Sequence, residues 1–137
     1  NIHLDEGIPQ LVGNTYQFEQ VIINLLSNAK DAILEKKSTD NMFTDFCIDI
    51  RTFVNENDMI IEVKDNGAGI REEDLNNILL PFFSTKEEGK GTGLGLSICY
   101  QIIKDMGGNI DISSIRSQQT SIKLIFDLKK INYGSTR

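Results

Sequence analysis

The first strong pattern along the chain is helical. Apolar side chains recur at spacings of three and four residues, as on one face of an α-helix, at Phe18, Val21, Ile22, Leu25, Leu26, Ala29 and Ile33. Cap signals predict that this helix begins at Asn14 or Thr15 and ends near Lys37. Residues 1–13 lack any such pattern, and we expect extended or irregular chain there; residues 38–45 are expected to form a loop.

Apolar and polar residues alternate in two further pairs of segments, with the period of half-buried strands. The first pair covers residues 46–54 and 59–64 and is joined by a turn at Asn55-Glu56-Asn57-Asp58. The second pair covers residues 110–114 and 121–128. These four segments predict two strand pairs of one sheet.

Two shorter helices are predicted between the strand pairs. Residues 71–80 are expected to form a helix that Pro81 ends, and residues 94–106 one that Gly107-Gly108 ends. Residues 82–92 between them are polar and without periodicity, which is typical of a mobile lid, and the predicted lid covers about residues 71–92. About three helices on one face of a mixed, mostly antiparallel sheet give an α+β fold, a two-layer α/β sandwich.

Composition narrows the class of protein. A chain of 137 residues suffices for one domain, and its formal net charge of −6 argues against a nucleic-acid surface. No apolar run approaches the roughly 18 residues of a membrane span. Cys47 and Cys99 have no metal-ligand spacing with the single histidine, and we expect two buried, reduced thiols in a cytoplasmic protein.

Two glycine loops contain six of the eleven glycines, and they are the chief chemical signal. They are Asp65-Asn66-Gly67-Ala68-Gly69-Ile70 and Gly89-Lys90-Gly91-Thr92-Gly93-Leu94-Gly95-Leu96. Glycine lets the backbone approach a ligand closely, so this clustering favours nucleotide contact. We expect an adenine base to lie against Gly67 and Gly69, with Ile70 as a pocket wall. The second loop opens a helix, whose free N–H groups attract phosphate.

For each of the polar residues near these loops, a role in ligand binding stands beside a purely structural or solvent-exposed one. Asn24 and Asn28 share one side of the first helix, where their amide oxygens suit Mg²⁺ unless they are simply exposed polar positions. Asp65 either accepts a hydrogen bond from the adenine amino group or merely forms a turn. Lys86 and Lys90 either add charge over the phosphates or are solvated lid residues.

Four ordered motifs resemble those of the sensor histidine kinases. They are Asn24-x-x-x-Asn28-Ala29, Asp65-x-Gly67-x-Gly69, Pro81-Phe82-Phe83 and Gly91-Thr92-Gly93-Leu94-Gly95-Leu96. The resemblance covers about residues 15–128 and implies the Bergerat fold, which gyrase, heat-shock chaperone ATPases and mismatch-repair ATPases share. Phe82-Phe83-Ser84-Thr85-Lys86 is similar to the nitrogen-regulation branch of these kinases.

The resemblance implies ATP and Mg²⁺ as cofactors. Asn28 would ligate Mg²⁺, Asn24 would orient the polyphosphate end as the catalytic residue, and Asp65 would bind adenine. The full set of implied nucleotide-binding residues is Asn24, Asn28, Lys30, Asp31, Asp65, Gly67, Gly69, Ile70, Lys86, Lys90, Gly91, Thr92, Gly93, Leu94, Gly95 and Leu96. Many relatives have a basic residue at the position of Asp31, and whether Lys30 replaces it stays open.

Within the family that the chain resembles, the residue type at position 24 distinguishes kinases from hydrolases. Hydrolytic members and anti-sigma serine kinases carry a glutamate there as general base, whereas an amide accepts no proton at neutral pH. The implied activity is transfer of the ATP γ-phosphoryl group to a histidine on a separate helical-hairpin domain, for relay to a response-regulator aspartate. His3 is expected to be incidental. The alternatives are a superfamily ATPase, an anti-sigma-type kinase and a non-catalytic nucleotide-sensing module.

The predicted organisation places the ATP-binding domain at residues 15–128. Residues 1–14 would lead in from a missing dimerisation and phosphoacceptor domain, and residues 129–137 would form a loose tail. We expect a monomeric fragment of a homodimeric, cytoplasmic or membrane-anchored parent. Gln118-Gln119-Thr120 stands where relatives have a glycine-rich turn, a departure expected to concern the sheet more than the site.

Overall fold

The computed structural model describes residues 1–86 and 95–131 of the chain. Within these ranges lie three helices and five strands, which confirm the predicted α+β fold. In chain order they are β1 Ile2–Leu4, α1 Thr15–Thr39, β2 Ile48–Asn55, β3 Asp58–Asp65, α2 Glu72–Leu75, α3 Gly95–Asp105, β4 Asn109–Ile115 and β5 Gln119–Asp127.

The five strands form one mixed sheet in the order β1-β2-β3-β5-β4. Only the pairing of β1 with β2 is parallel, and β1 falls in the segment predicted to be extended or irregular. In the antiparallel ladder Asp65 lies between Ile48 on one side and Thr120 on the other. The end of β3 and the start of β5 therefore meet at one end of the sheet.

One face of the sheet packs against α1 and α3 and forms the core. Its members alternate along the strands and recur along the helices: Val21, Leu25, Met59, Ile61, Val63, Cys99, Ile102, Ile103, Ile110, Ile122, Leu124 and Phe126. Asp65 and Thr120 continue the same alternation one step beyond Val63 and Ile122. Both side chains are consequently buried on the helix-covered face, at the end of the sheet.

The ends of the two long helices follow their capping signals. Asn14 caps α1 through its side chain, which accepts a hydrogen bond from the Gln17 N–H at 3.1 Å. Gly107 ends α3 at a φ of 82°, and Gly108 lies so close to the Phe126 ring that a side chain would not fit. Among the described helices, none has both the length and the apolar character to cross a bilayer.

The predicted helix over residues 71–80 is wrong in length, because α2 ends at Leu75. Beyond it the chain continues in turns, with the N–H of Asn77 donating to Asp74 and that of Leu80 donating to Asn77. Asparagine competes with helical hydrogen bonding and favours turns. The segment predicted to form a lid therefore begins as a succession of turns.

Strand β2 begins two residues later than predicted. The N–H of Cys47 donates to Asn66 Oδ1 at 2.9 Å rather than to a neighbouring strand. Cys47 is only partly buried, contrary to the expectation, whereas Cys99 is fully buried as predicted.

Candidate functional site

A cleft of about 870 Å³ opens between α1 and the end of the sheet that carries Asp65. Helix α1 forms one wall, β3 and β5 form the floor, and the residues after α2 form the opposite wall. The structure brings together nine predicted site residues along this cleft: Asn24, Asn28, Asp31, Asp65, Gly69, Ile70, Lys86, Gly95 and Leu96.

The remaining predicted site residues do not line the described part of the cleft. Lys30 is exposed on α1 and is not among the residues that line the cleft, and whether it replaces a basic residue at position 31 stays open. Gly67 packs against α1. The other predicted ligands lie outside the described residues, and their contacts stay predictions: Lys90, Gly91, Thr92, Gly93 and Leu94.

Asp65 is a buried carboxylate at the floor of the cleft. Its side chain is 6% exposed, and its Oδ1 accepts a hydrogen bond from the Gly67 N–H at 2.9 Å. Burial raises the pKa of Asp65 to about 6, while the Gly67 hydrogen bond and the charge of Lys36 act in the opposite direction. Above that pH the carboxylate is ionised and can accept a further hydrogen bond from a ligand.

The first glycine loop is packed tightly against α1 and the sheet. A Cβ at Gly67 would lie 2.5 Å from the backbone carbon of Ala32, and the Ala68 N–H donates to the Ala32 carbonyl at 2.9 Å. Gly69 has a φ of 71° and faces the Ile115 carbonyl. These glycines are needed by the packing of the protein itself, a reason that the prediction of ligand contact did not include.

The hairpin between β4 and β5 also holds the first glycine loop. The Ser117 N–H donates to the Ala68 carbonyl at 2.6 Å. Arg116 donates from Nη1 to the Gly69 carbonyl at 2.9 Å and from Nη2 to Glu35 Oε1 at 3.2 Å. The hairpin therefore supports the loop at the cleft as well as completing the sheet, through residues that precede the Gln118-Gln119-Thr120 departure.

Two hydroxyl residues that sequence reasoning missed lie beneath the same loop. Ser114 Oγ accepts a hydrogen bond from the Ile70 N–H at 2.7 Å and lies 2.9 Å from Thr120 Oγ1. Thr120 lines the cleft opposite Asp65 in the strand register. The alternation of β5 was the signal for Thr120, because it places position 120 on the same face as Ile122.

The amide of Asn24 is oriented by a buried thiol. Asn24 Nδ2 lies 3.7 Å from Cys99 Sγ, which lies 3.9 Å from the Val21 carbonyl oxygen. Burial raises the pKa of the Cys99 thiol, so sulfur keeps its proton and donates it to that carbonyl. The sulfur lone pair then faces the amide N–H, which leaves Asn24 Oδ1 for the cleft.

An ion pair crosses the cleft one helical turn beyond Asn28. Lys86 Nζ lies 2.5 Å from Asp31 Oδ2, and the two side chains are 37% and 36% exposed. The Lys86 backbone N–H donates to Ser84 Oγ at 3.1 Å, which forms a local turn. This end of the cleft thus combines neutral amides with an opposed charge pair.

The donor set at this end is suited to a hard divalent cation. Asn28 and Asn24 both line the cleft, and Asn24 uses its Nδ2, not its Oδ1, for the contact with the Cys99 sulfur. Mg²⁺ prefers oxygen ligands and retains several waters, so a few amide oxygens suffice when phosphate supplies the rest.

Comparison with known proteins shows which family this chain belongs to. Residues 13–130 match the sequence profile of the histidine kinase-, DNA gyrase B- and HSP90-like ATPases. The chain belongs to this family. The predicted ATP-binding domain of histidine kinase type is thereby confirmed, whereas the nitrogen-regulation branch stays a prediction.

The named relatives are kinases of signalling systems. The chain is 41% identical over 114 residues to the sensor kinase CckA of Brucella abortus, covering 79% of the chain and 12% of the relative. It is 37% identical over 117 residues to sporulation kinase A of Bacillus subtilis, covering 85% of the chain and 18% of the relative. The chain thus spans less than a fifth of the length of these relatives.

A solved structure shows the same architecture. The catalytic domain of the histidine kinase ThkA superposes with a TM-score of 0.70 at 29% sequence identity, over 92% of this chain and 76% of that one. The likeness extends over nearly the whole chain, so it includes the sheet and the helices that position the cleft.

Proposed function

We propose that this chain is the ATP-binding catalytic part of a protein-histidine kinase. It would present the γ-phosphoryl group of Mg-ATP to a histidine on a separate helical-hairpin domain, for relay to a response-regulator aspartate. The observation that carries the proposal is the cleft itself, with a buried acid at one end and the Asn24–Asn28 amide pair at the other. These two ends match the two ends of ATP.

The buried end supports recognition of adenine. Asp65 is buried and its Oδ1 already accepts one backbone N–H, which leaves acceptor capacity on the carboxylate for an amino group. A hydrogen bond to a charged acceptor is worth roughly 1.5–3 kcal/mol, and a base lacking the amino group would forfeit it. Ile70 supplies an apolar wall at this end.

The open end supports phosphoryl transfer over hydrolysis. Asn24 offers an amide oxygen, which takes up no proton at neutral pH. Within the described residues three carboxylates line the cleft, and each has a partner: Asp31 has Lys86, Glu35 has Arg116, and Asp65 has the Gly67 N–H. The arrangement favours keeping the γ-phosphoryl group for an incoming imidazole.

The phosphates would lie between α1 and the start of α3. Asn28 would hold Mg²⁺ with Asn24 beside it, and the ion would neutralise phosphate charge during transfer. Lys86 would add one ammonium, and the start of α3 at Gly95 and Leu96 would add the positive end of a helix dipole. The contribution of this chain is mainly positioning, while the histidine nitrogen displaces ADP at phosphorus.

The partners follow from the same proposal. His3 lies on the edge strand β1 and is not among the residues that line the cleft, so the acceptor histidine would come from a dimerisation domain of the full-length protein. We propose a homodimeric parent whose catalytic part works in the cytoplasm. The response regulator would bind mainly to that other domain.

Calorimetric titration with ATP, with and without Mg²⁺, tests the binding step. Transfer of labelled phosphate to the helical hairpin of the same polypeptide, supplied separately, tests the reaction. We expect Mg²⁺-dependent binding, slow hydrolysis alone and labelling of the hairpin. Steady hydrolysis without acceptor would favour an ATPase, binding without labelling would favour a nucleotide-sensing module, and absence of binding would refute both enzymatic readings.

A further inference from the structure

We propose that Asp31 is a specificity-determining residue, which lowers the preference of the cleft for highly charged nucleotides by competing with their phosphates for Lys86. This inference rests on the proposed function, because it assumes that the phosphates lie at the Asn28 end.

The first support is the geometry of the pair. The Lys86 ammonium and the Asp31 carboxylate are 2.5 Å apart, and both side chains line the cleft. Asp31 follows Asn28 by three residues on α1, so the two lie on the same side of the helix. A phosphate held near Asn28 would therefore meet the carboxylate as well as the ammonium.

The second support is the balance of charge. Among the described residues that line the cleft, Lys86 is the one lysine or arginine, whereas three carboxylates line it, of which Asp31 contacts Lys86. While Lys86 is paired with Asp31, the described side chains at this end of the cleft present no net positive charge to a polyphosphate. Binding must either share the ammonium between carboxylate and phosphate or draw it away from Asp31.

These observations fix the direction of the effect. Removing the carboxylate relieves its repulsion of phosphate and releases all three N–H donors of Lys86, so both consequences favour the bound nucleotide. The opposite role, in which Asp31 holds Lys86 ready for phosphate, predicts weaker binding without it. The pair is partly exposed and screened by salt, so we expect a moderate effect.

The test is a double-mutant cycle measured by calorimetry with Mg-ATP, Mg-ADP and adenosine. Asp31→Asn should tighten Mg-ATP binding about 3- to 10-fold, tighten Mg-ADP binding less and leave adenosine binding unchanged. In a Lys86→Met background the same change should give a clearly smaller gain. Glu19→Gln removes a charge from the exposed side of α1 and serves as the matched control.

Salt gives a readout that a merely structural role would not change. Asp31→Asn should make the affinity for Mg-ATP fall more steeply with added NaCl, because the cleft then carries more net positive charge. Thermal unfolding without nucleotide checks that each variant is folded, which we expect since both side chains are partly exposed.

Three outcomes would overturn the inference. They are weaker or unchanged Mg-ATP binding in Asp31→Asn, an equal gain for adenosine, and an equal gain with and without Lys86. Each of these leaves the proposed function standing if the wild-type chain binds Mg-ATP. If the wild type shows no Mg-ATP binding, the proposed function fails and this inference fails with it.

Discussion

The two ends of the cleft differ in how their charged side chains are held. At one end Asp65 is 6% exposed and precedes a loop that is hydrogen-bonded to α1 and to the β4–β5 hairpin. At the other end Asp31 and Lys86 are each more than a third exposed and form an ion pair with each other. The first end is built mainly from backbone packing, with little room for a changed side chain. The second is built from side-chain charges in partial contact with water.

This contrast separates two kinds of residue in one site. Residues at the buried end act on the fold and on adenine together, because the loop that carries Asp65 is part of the packing against α1. Residues at the open end can change affinity for phosphate with little effect on stability. Variants at the two ends should therefore differ in how they change the affinities for ATP, ADP and adenosine.

The largest effect is expected for Gly67→Val at the buried end. Any Cβ at this position would lie 2.5 Å from the Ala32 backbone, which cannot move aside without shifting α1. We expect a loss of about 3 kcal/mol or more in the free energy of unfolding, measured by urea denaturation, together with loss of nucleotide binding.

Gly95→Ala is the matched glycine substitution at the open end. Apart from neighbouring residues of its own helix, no atom of the described residues lies within 4 Å of a Cβ built at Gly95, and a helical Gly→Ala change stabilises by at most about 1 kcal/mol. Equal destabilisation by the two variants would contradict the distinction between a packed end and an open end.

A smaller effect, confined to binding, is expected for Asp65→Asn. Asparagine can still accept the Gly67 N–H, but it is a weaker acceptor for adenine than a carboxylate, so affinity should fall about 10- to 100-fold. The loss should be the same for ATP, ADP and adenosine, as measured by calorimetry. Asp111→Asn on the exposed part of β4 is the control, and a loss restricted to ATP would contradict the assignment.

The pH dependence provides a separate test of Asp65. Its pKa of about 6 predicts that affinity falls about tenfold between neutral pH and pH 5, as the carboxylate is protonated. The ratio of wild-type to Asp65→Asn affinity removes the titration of the ligand phosphates. Parallel pH profiles for the two proteins would show that ionised Asp65 is not the acceptor.

The same pKa shift makes the stability of the fold change with pH in the opposite direction to nucleotide affinity. A carboxyl whose folded pKa is raised from 3.8 destabilises the fold when it ionises, so its contribution to unfolding free energy declines as pH rises from about 4 to about 6. Asp65→Asn should remove this decline in urea denaturation at a series of pH values. A decline that persists in the variant would have to come from other groups.

The smallest effect is expected for Arg116→Met. This side chain is half exposed, and its contacts with Gly69 and Glu35 are worth at most about 1 kcal/mol, which corresponds to a loss of affinity of up to about fivefold. The loss should be equal across ATP, ADP and adenosine, because the contacts are at the adenine end. Arg51→Met, on an exposed position of β2, should have no effect on binding.

Much of the fold was predictable because local periodicity reports it. The apolar stripe of α1 and the alternation of the strand pairs depend on residues close in sequence, and their bounds differ from prediction by only a few residues. The short α2 was missed because a weak periodicity over residues 71–80 conceals the turn preference of Asn76 and Asn77.

The pairings within the site were less predictable. Lys86 and Asp31 are 55 residues apart, and Arg116 is 47 residues from Gly69, so each contact depends on how separate elements pack. No pattern of neighbouring residues in the sequence indicates contacts between residues so far apart along the chain. The sequence predicted that Lys86 and Asp31 belong to the site but not that they form an ion pair with each other.

By itself, then, the sequence determined the order of elements, the glycine loops and the family, because these depend on local periodicity and on motifs read along the chain. Only the tertiary structure decided which atoms those residues offer to a ligand. Burial against α1 sets the pKa of Asp65, a thiol from α3 orients the amide of Asn24, and Asp31 occupies Lys86. Desolvation and hydrogen-bond direction arise only when distant segments meet, which is why they could not be predicted from the chain alone.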